Sequence, residues 1–158
     1  GAFVDGLFNF SVFLQVTTFE YVDRPFYHYR KTNETAATAG YRKNYMDRQL
    51  VLFSKLKKIA QDSGNWDYFA EAYYNRIVHA TMEISFNALR SKEGFGQKYH
   101  EIKTVLHHPT FREAYRQFSL KHLDIKWGVY FFFIKHSMAF PTYIMSLIIL
   151  KLKSRGTL

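Results

Sequence analysis

The sequence predicts a mainly α protein, a helical C-terminal bundle with a short β element at its N-terminal end. Three observations carry that expectation. Apolar side chains recur at helical spacing through most of residues 41–158, and Gly, Pro and Ser-Gly-Asn clusters cut this region into helix-sized lengths. Residues 19–29, by contrast, are dominated by aromatic and β-branched side chains, which suit a pleated strand. With 47% of its 158 residues apolar and 19% aromatic, the chain has material for a buried core, which excludes a disordered protein. The composition shifts once, near Gly40, so two parts are expected, 1–40 and 41–158.

Residues 5–16 carry Leu7, Phe8, Phe10, Val12, Phe13 and Leu14, which predicts a short, largely buried helix broken by Thr17 and Thr18. From Phe19 to Tyr29 the chain reads as two short strands or a kinked edge strand, because Pro25 lacks the N–H that a central ladder position needs. Residues 31–40 are small and polar and read as a loop. Over 41–61, Tyr45, Leu50, Val51, Phe53, Leu56 and Ile59 alternate with Arg42, Lys43, Arg48, Lys55, Lys57 and Lys58, the pattern of an amphipathic helix with a basic face.

Ser63-Gly-Asn65 stops that helix, and Asn65 is the expected N-cap of a second one over 66–90, paired with the first as an antiparallel hairpin. Trp66, Tyr68, Phe69, Tyr73 and Tyr74 fall at helical spacing and read as a core face rather than a base-stacking platform, so no nucleic-acid partner is expected. Gly94-Phe-Gly96 precedes a helix over 97–106. His107-His108-Pro109 reads as a turn with exposed imidazoles, since no carboxylate or third His lies at ligand spacing. Thr110-Phe-Arg-Glu113 has the capping-box pattern. Residues 127–150 approach the length of a membrane span, but Lys135, His136 and Pro141 interrupt them, which predicts two helices meeting at Pro141.

The chain has no cysteine, which removes disulfide frameworks, thiolate metal sites and cysteine nucleophiles. A net charge of +9 suggests an anionic partner, whether nucleic acid, an acidic membrane surface or a phosphorylated ligand, and leaves as the alternative function a non-enzymatic helical binding module whose basic face meets an anionic membrane or nucleic acid. The basic helix over 41–58 and the tail residues Lys151, Lys153 and Arg155 flank apolar segments, so this face is either solvated or laid on an anionic membrane surface. The first residues lack the basic and apolar regions of a signal peptide, and the chain reads as a piece of a longer protein.

Val4-Asp5-Gly-Leu-Phe-Asn9, followed by Arg24-Pro-Phe-Tyr-His-Tyr-Arg30 and Asn33-Glu-Thr35, resembles the last part of bacterial family 2 glycosyltransferases. That family has the GT-A fold, so the resemblance implies that residues 1–40 are the tail of an α/β catalytic domain and 41–158 a helical extension. It implies transfer of a sugar from a nucleotide-sugar donor to a glycan or lipid-linked acceptor. By position, Asp5 is then the general base, and the competing reading of Asp5 is a helix N-cap. Arg30, Lys31 and Thr35 would belong to the loop that closes over the donor diphosphate. His28 would help hold a divalent metal, Mg²⁺ or Mn²⁺. Val4 departs from the family's usual Glu, and the chain has no Asp-x-Asp motif, so this stretch is expected to be inactive alone. The resemblance also implies a cytoplasmic location, peripheral on the inner face of the membrane.

Overall fold

The computed structural model describes residues 2–26, 40–121 and 123–154. Its elements run α1 (Ala2–Phe13), α2 (Tyr45–Asp62), α3 (Trp66–Leu89), α4 (Phe95–His107), α5 (Pro109–Gln117), α6 (Ile125–Lys135) and α7 (Ala139–Ser154). The mainly α expectation holds, but the β element does not appear among the described residues. Residues 17–26 are exposed, irregular chain, and Phe19, Tyr21 and Phe26 project into solvent. A strand needs a neighbour to satisfy its N–H and C=O groups, and no second strand lies among the described residues to provide one. Tyr27 to Tyr29, the end of the expected strand, and the loop to Ala39 lie outside the described residues.

Local chemistry explains where the helices start and stop. Asn44 enters α2 in the left-handed region at φ 55°, which Asn tolerates better than most residues. Gly64, at φ 72°, turns the chain between α2 and α3. Asn65 does stand at the N-cap of α3, yet its side chain donates back to the Ser63 carbonyl (3.2 Å) and caps nothing. The capping box at Thr110 is also replaced. His108 is the N-cap of α5, its Nδ1 accepts from the Thr110 N–H (3.3 Å), and Pro109 occupies the first turn. Glu113 instead accepts from the Tyr74 hydroxyl (2.8 Å), tying α5 to α3. Asp124 caps α6 through the Trp127 N–H (3.0 Å).

The break before α7 falls at His136-Ser137-Met138, upstream of Pro141. Pro141 sits in the first turn of α7, where an N–H has no intrahelical acceptor to lose. Ser137 makes the turn itself, at φ 53°, with its hydroxyl donating to the Leu106 carbonyl (3.0 Å).

The central element is α3, which packs against α2, α4, α5 and α7. Its C-terminal half is therefore buried nearly all round, from Ile77 to Leu89, and the polar groups there must find internal partners. They do: Thr81 Oγ1 and the Tyr115 hydroxyl share a hydrogen bond (2.9 Å), and Ser85 donates to the Thr81 carbonyl (2.8 Å). Asn87 clamps the chain before α2, accepting from the Arg42 N–H (2.8 Å) and donating to the Arg42 carbonyl (2.9 Å). Edge-on rings link layers, Phe53 of α2 against Phe111 of α5 at 6.0 Å between centroids. Tyr130 and Ser146 share a buried hydrogen bond (2.7 Å) that fastens α6 to α7.

The aromatic series at the start of α3 is only partly core. Tyr73 and Tyr74 are half-buried, but Tyr68 is 82% exposed, and the Trp66 ring lies under the Lys57 ammonium at 5.3 Å. Among the described residues no helix is long and apolar enough to cross a membrane.

Candidate functional site

The α2–α3 hairpin does not close completely. It leaves a cleft of about 640 Å³ that α1 borders through Gly6 and Phe10, within the size range of small-molecule sites. Because the helices run antiparallel, the start of α2 faces the end of α3, and the end of α2 faces the start of α3. The cleft is thereby split into two chemistries. Toward the end of α2 its walls are Leu56, Ala60, Phe69, Ala72 and Tyr73, with Phe10 edge-on to Phe69 at 5.1 Å between centroids. Toward the start of α2 they are Arg42, Tyr45, Gln49, Glu83 and Arg90, with Arg76 between.

The polar end is a connected network. Tyr45 donates its hydroxyl to Glu83 Oε2 (2.9 Å), and Gln49 Nε2 donates to the Tyr45 oxygen (2.8 Å) and to Glu83 Oε2 (3.3 Å). Arg76 donates to Glu83 Oε1 (2.8 Å), so the carboxylate is the hub. Burial, then the Glu83 charge, push the Tyr45 phenol above its ordinary range, which keeps it a donor. The Arg42 guanidinium stacks on the Tyr45 ring, 3.9 Å from its centroid.

Three arginines against one glutamate leave the polar end with an excess of two positive charges. Burial, then the neighbouring Arg42 charge, draw Arg90 below the usual guanidinium range, although it stays charged at neutral pH. Two buried polar atoms at this end have no partner among the described residues, Arg42 Nε and Gln49 Oε1, and Gln49 is only 1% exposed. The N-terminus of α2 and the C-terminus of α3 lie side by side here, so their dipoles oppose and the arginines set the sign of the field.

Of the residues singled out from sequence, Asp5 is the fourth residue of α1, inside the helix rather than at its N-cap, and it immediately precedes the cleft residue Gly6. His28, Arg30, Lys31 and Thr35 lie outside the described residues. Among the described residues no three His, Asp or Glu side chains group as a metal would need. His107 and His108 turn to local backbone, His107 Nδ1 facing the Lys103 carbonyl at 2.9 Å.

The cleft itself was not foreseen from sequence. One signal for it exists: Arg76 and Glu83 stand seven apart, on one face of a helix otherwise rich in apolar residues, and Gln49 interrupts the apolar face of α2. Comparison with known protein families, with curated proteins and with solved structures gives no match.

Proposed function

We propose that the chain is the C-terminal part of a family 2 glycosyltransferase, whose reaction moves a sugar from a nucleotide donor to a glycan or lipid-linked acceptor. The observation that carries this reading is the paired motif, Val4-Asp-Gly-Leu-Phe-Asn9 followed by Arg24-Pro-Phe-Tyr-His-Tyr-Arg30. The helical form of the first motif, α1, is compatible with it.

In the proposed reaction Asp5 takes the proton of the acceptor hydroxyl as that oxygen bonds to the anomeric carbon, and the nucleoside diphosphate leaves with the electrons of the broken bond. Arg30, with Lys31 and Thr35, binds the diphosphate, and a guanidinium suits that task because it meets phosphate oxygens bidentately. A divalent metal, when bound, would neutralise diphosphate charge, and His28 is this chain's candidate contribution to holding it.

The test is Asp5→Asn in the intact enzyme, read as nucleoside diphosphate released from a panel of UDP- and GDP-sugars. The amide keeps the shape and loses the basicity, so turnover falls by about 10²–10⁴-fold. Unchanged turnover removes Asp5 as the base. A second reading, a helical binding module without transfer chemistry, is favoured by one feature. Phe140, Ile144, Ile148 and Leu152 follow each other at four-residue spacing along α7, all exposed, with Lys151 and Lys153 at the same end as Leu152. In either reading this stripe is the candidate contact with an anionic inner leaflet.

A further inference from the structure

We infer that the α2–α3 cleft binds a phosphate ester of an apolar alcohol, with the phosphate among Arg42, Arg76 and Arg90 and the hydrocarbon along Leu56, Phe69 and Tyr73. The inference stands on the cleft's geometry and charge and is independent of the glycosyltransferase reading.

Three features define the ligand. First, the polar end carries uncompensated positive charge. Glu83 is already engaged by Arg76, Tyr45 and Gln49, so it cannot also neutralise Arg42 and Arg90, and a bound anion would do so. A phosphate fits better than a single carboxylate because it offers oxygens in several directions to guanidiniums that reach it from α3, from the Arg90 C-cap at its end and from the segment before α2. Second, the unpartnered and buried Arg42 Nε is a donor whose exposure to a ligand oxygen would repair a polar group that the free chain leaves unsatisfied. Gln49 Oε1 is likewise unpartnered, and its amide orientation is fixed by donation to Glu83, so it presents an acceptor to a ligand hydroxyl such as that of a monoprotonated phosphate.

Third, the other end of the cleft has no charge to offer. Its walls are alkyl and aromatic, and burying a hydrocarbon against them is favourable by about 25 cal/mol per Å² of apolar surface. A nucleotide would bring ribose and base hydroxyls and amines to this apolar end, where they would lose water without gaining partners. A free inorganic phosphate would leave the apolar end unused. An amphiphile satisfies both ends. Arg42 is already held near the cleft, its backbone N–H and carbonyl both bonded to Asn87 and its guanidinium over the Tyr45 ring, which limits the freedom lost when the side chain turns its Nε to a ligand.

The experiment is calorimetric titration of the chain with decyl phosphate below its micellar concentration, alongside inorganic phosphate and decanol. Decyl phosphate is expected to saturate at one molecule per chain, and each half-ligand to bind at least about ten-fold more weakly. Among the described residues Arg90 hydrogen-bonds through its backbone N–H to carbonyls of α3, bonds that a side-chain change keeps, so Arg90→Gln is expected to leave the fold intact and to weaken decyl phosphate by about ten-fold or more, the loss of one charge-assisted contact. Lys55→Gln, an exposed α2 residue outside the cleft, leaves it unchanged. Sedimentation with vesicles containing phosphatidic acid separates the two sources of such a ligand. If Arg90→Gln lowers vesicle binding as well, the ligand is a bilayer headgroup; if vesicle binding is unmoved while decyl phosphate is weakened, it is a soluble amphiphile. Decyl phosphate that does not bind, or that binds Arg90→Gln and the native chain alike, overturns the inference.

Discussion

Single residues show why some of this molecule can be read from its sequence and some cannot. Phe53, Ile77, Ala80, Ile84 and Phe111 are buried because apolar side chains at helical spacing have few other places to go. Gln49 is as buried as they are, and only its partners in the fold, Tyr45 and Glu83, explain why that is tolerable. The tyrosines add a consequence for pH. Burial raises the phenols of Tyr73 and Tyr130 to about 12 and pushes Tyr115 up further in the same direction. A raised folded pKa means that the unfolded chain gives up its phenolic protons first. The stability these groups contribute is thus complete below pH 10 and is lost as pH climbs from there through about 12. Urea unfolding at pH 8, 10 and 11 is expected to show a falling midpoint above pH 10, and Tyr73→Phe to lessen the fall. A flat profile would show these phenols to be freer than the structure has them.

At the scale of elements, helix existence was legible and helix ends were less so. Periodicity reports which face of a segment is buried, whereas a cap depends on the direction of one side chain. The Thr110 hydroxyl and the His108 ring both stand near the start of α5, and the ring takes the position because Pro109 fixes the first turn directly after it. The β element is missing among the described residues for a different reason, since strand-forming residues make no strand without a partner. The joint between α6 and α7 offers a test of backbone strain. Ser137 combines a left-handed backbone with a hydrogen bond to Leu106, one unfavourable and one favourable. Ser137→Ala loses the bond and keeps the strain, while Ser137→Gly loses the bond and relieves it. The alanine variant is expected to be less stable than the glycine variant by about 1 kcal/mol in thermal or urea unfolding. Equal stabilities would mean that the turn is not held in that conformation.

Across the whole molecule, charge and apolar surface are not mixed evenly. The chain carries +9, and it leaves Ile125, Phe140 and the rest of the α7 stripe in contact with solvent. Scattered exposed apolar residues are ordinary, and the row along one helix is the feature on which the proposed membrane contact rests. The charge was plain from composition, and the stripe was not, because the same residues would serve equally as core. If the occupant is an anionic bilayer, the chain sediments with vesicles containing phosphatidylserine and is released as salt rises through a few hundred millimolar. Ile144→Ser with Ile148→Ser, both exposed, is expected to lower that partitioning by about ten-fold while leaving the melting temperature nearly unchanged. Vesicles that fail to retain the native chain would remove membrane attachment from the proposal.

The Asn87 clamp has a kinetic corollary. Its amide copies a peptide group, donating to and accepting from the same residue as a neighbouring strand would, so a stretch of irregular chain acquires the hydrogen bonding of regular structure. The Arg42 amide should therefore exchange its hydrogen slowly although it belongs to no helix. Since its acceptor is a side chain of α3, buried in the centre of the fold, release of that hydrogen requires α3 and the Arg42 segment to separate. One amide outside the helices would then report the opening of the hairpin, and a ligand seated between α2 and α3 would slow it further.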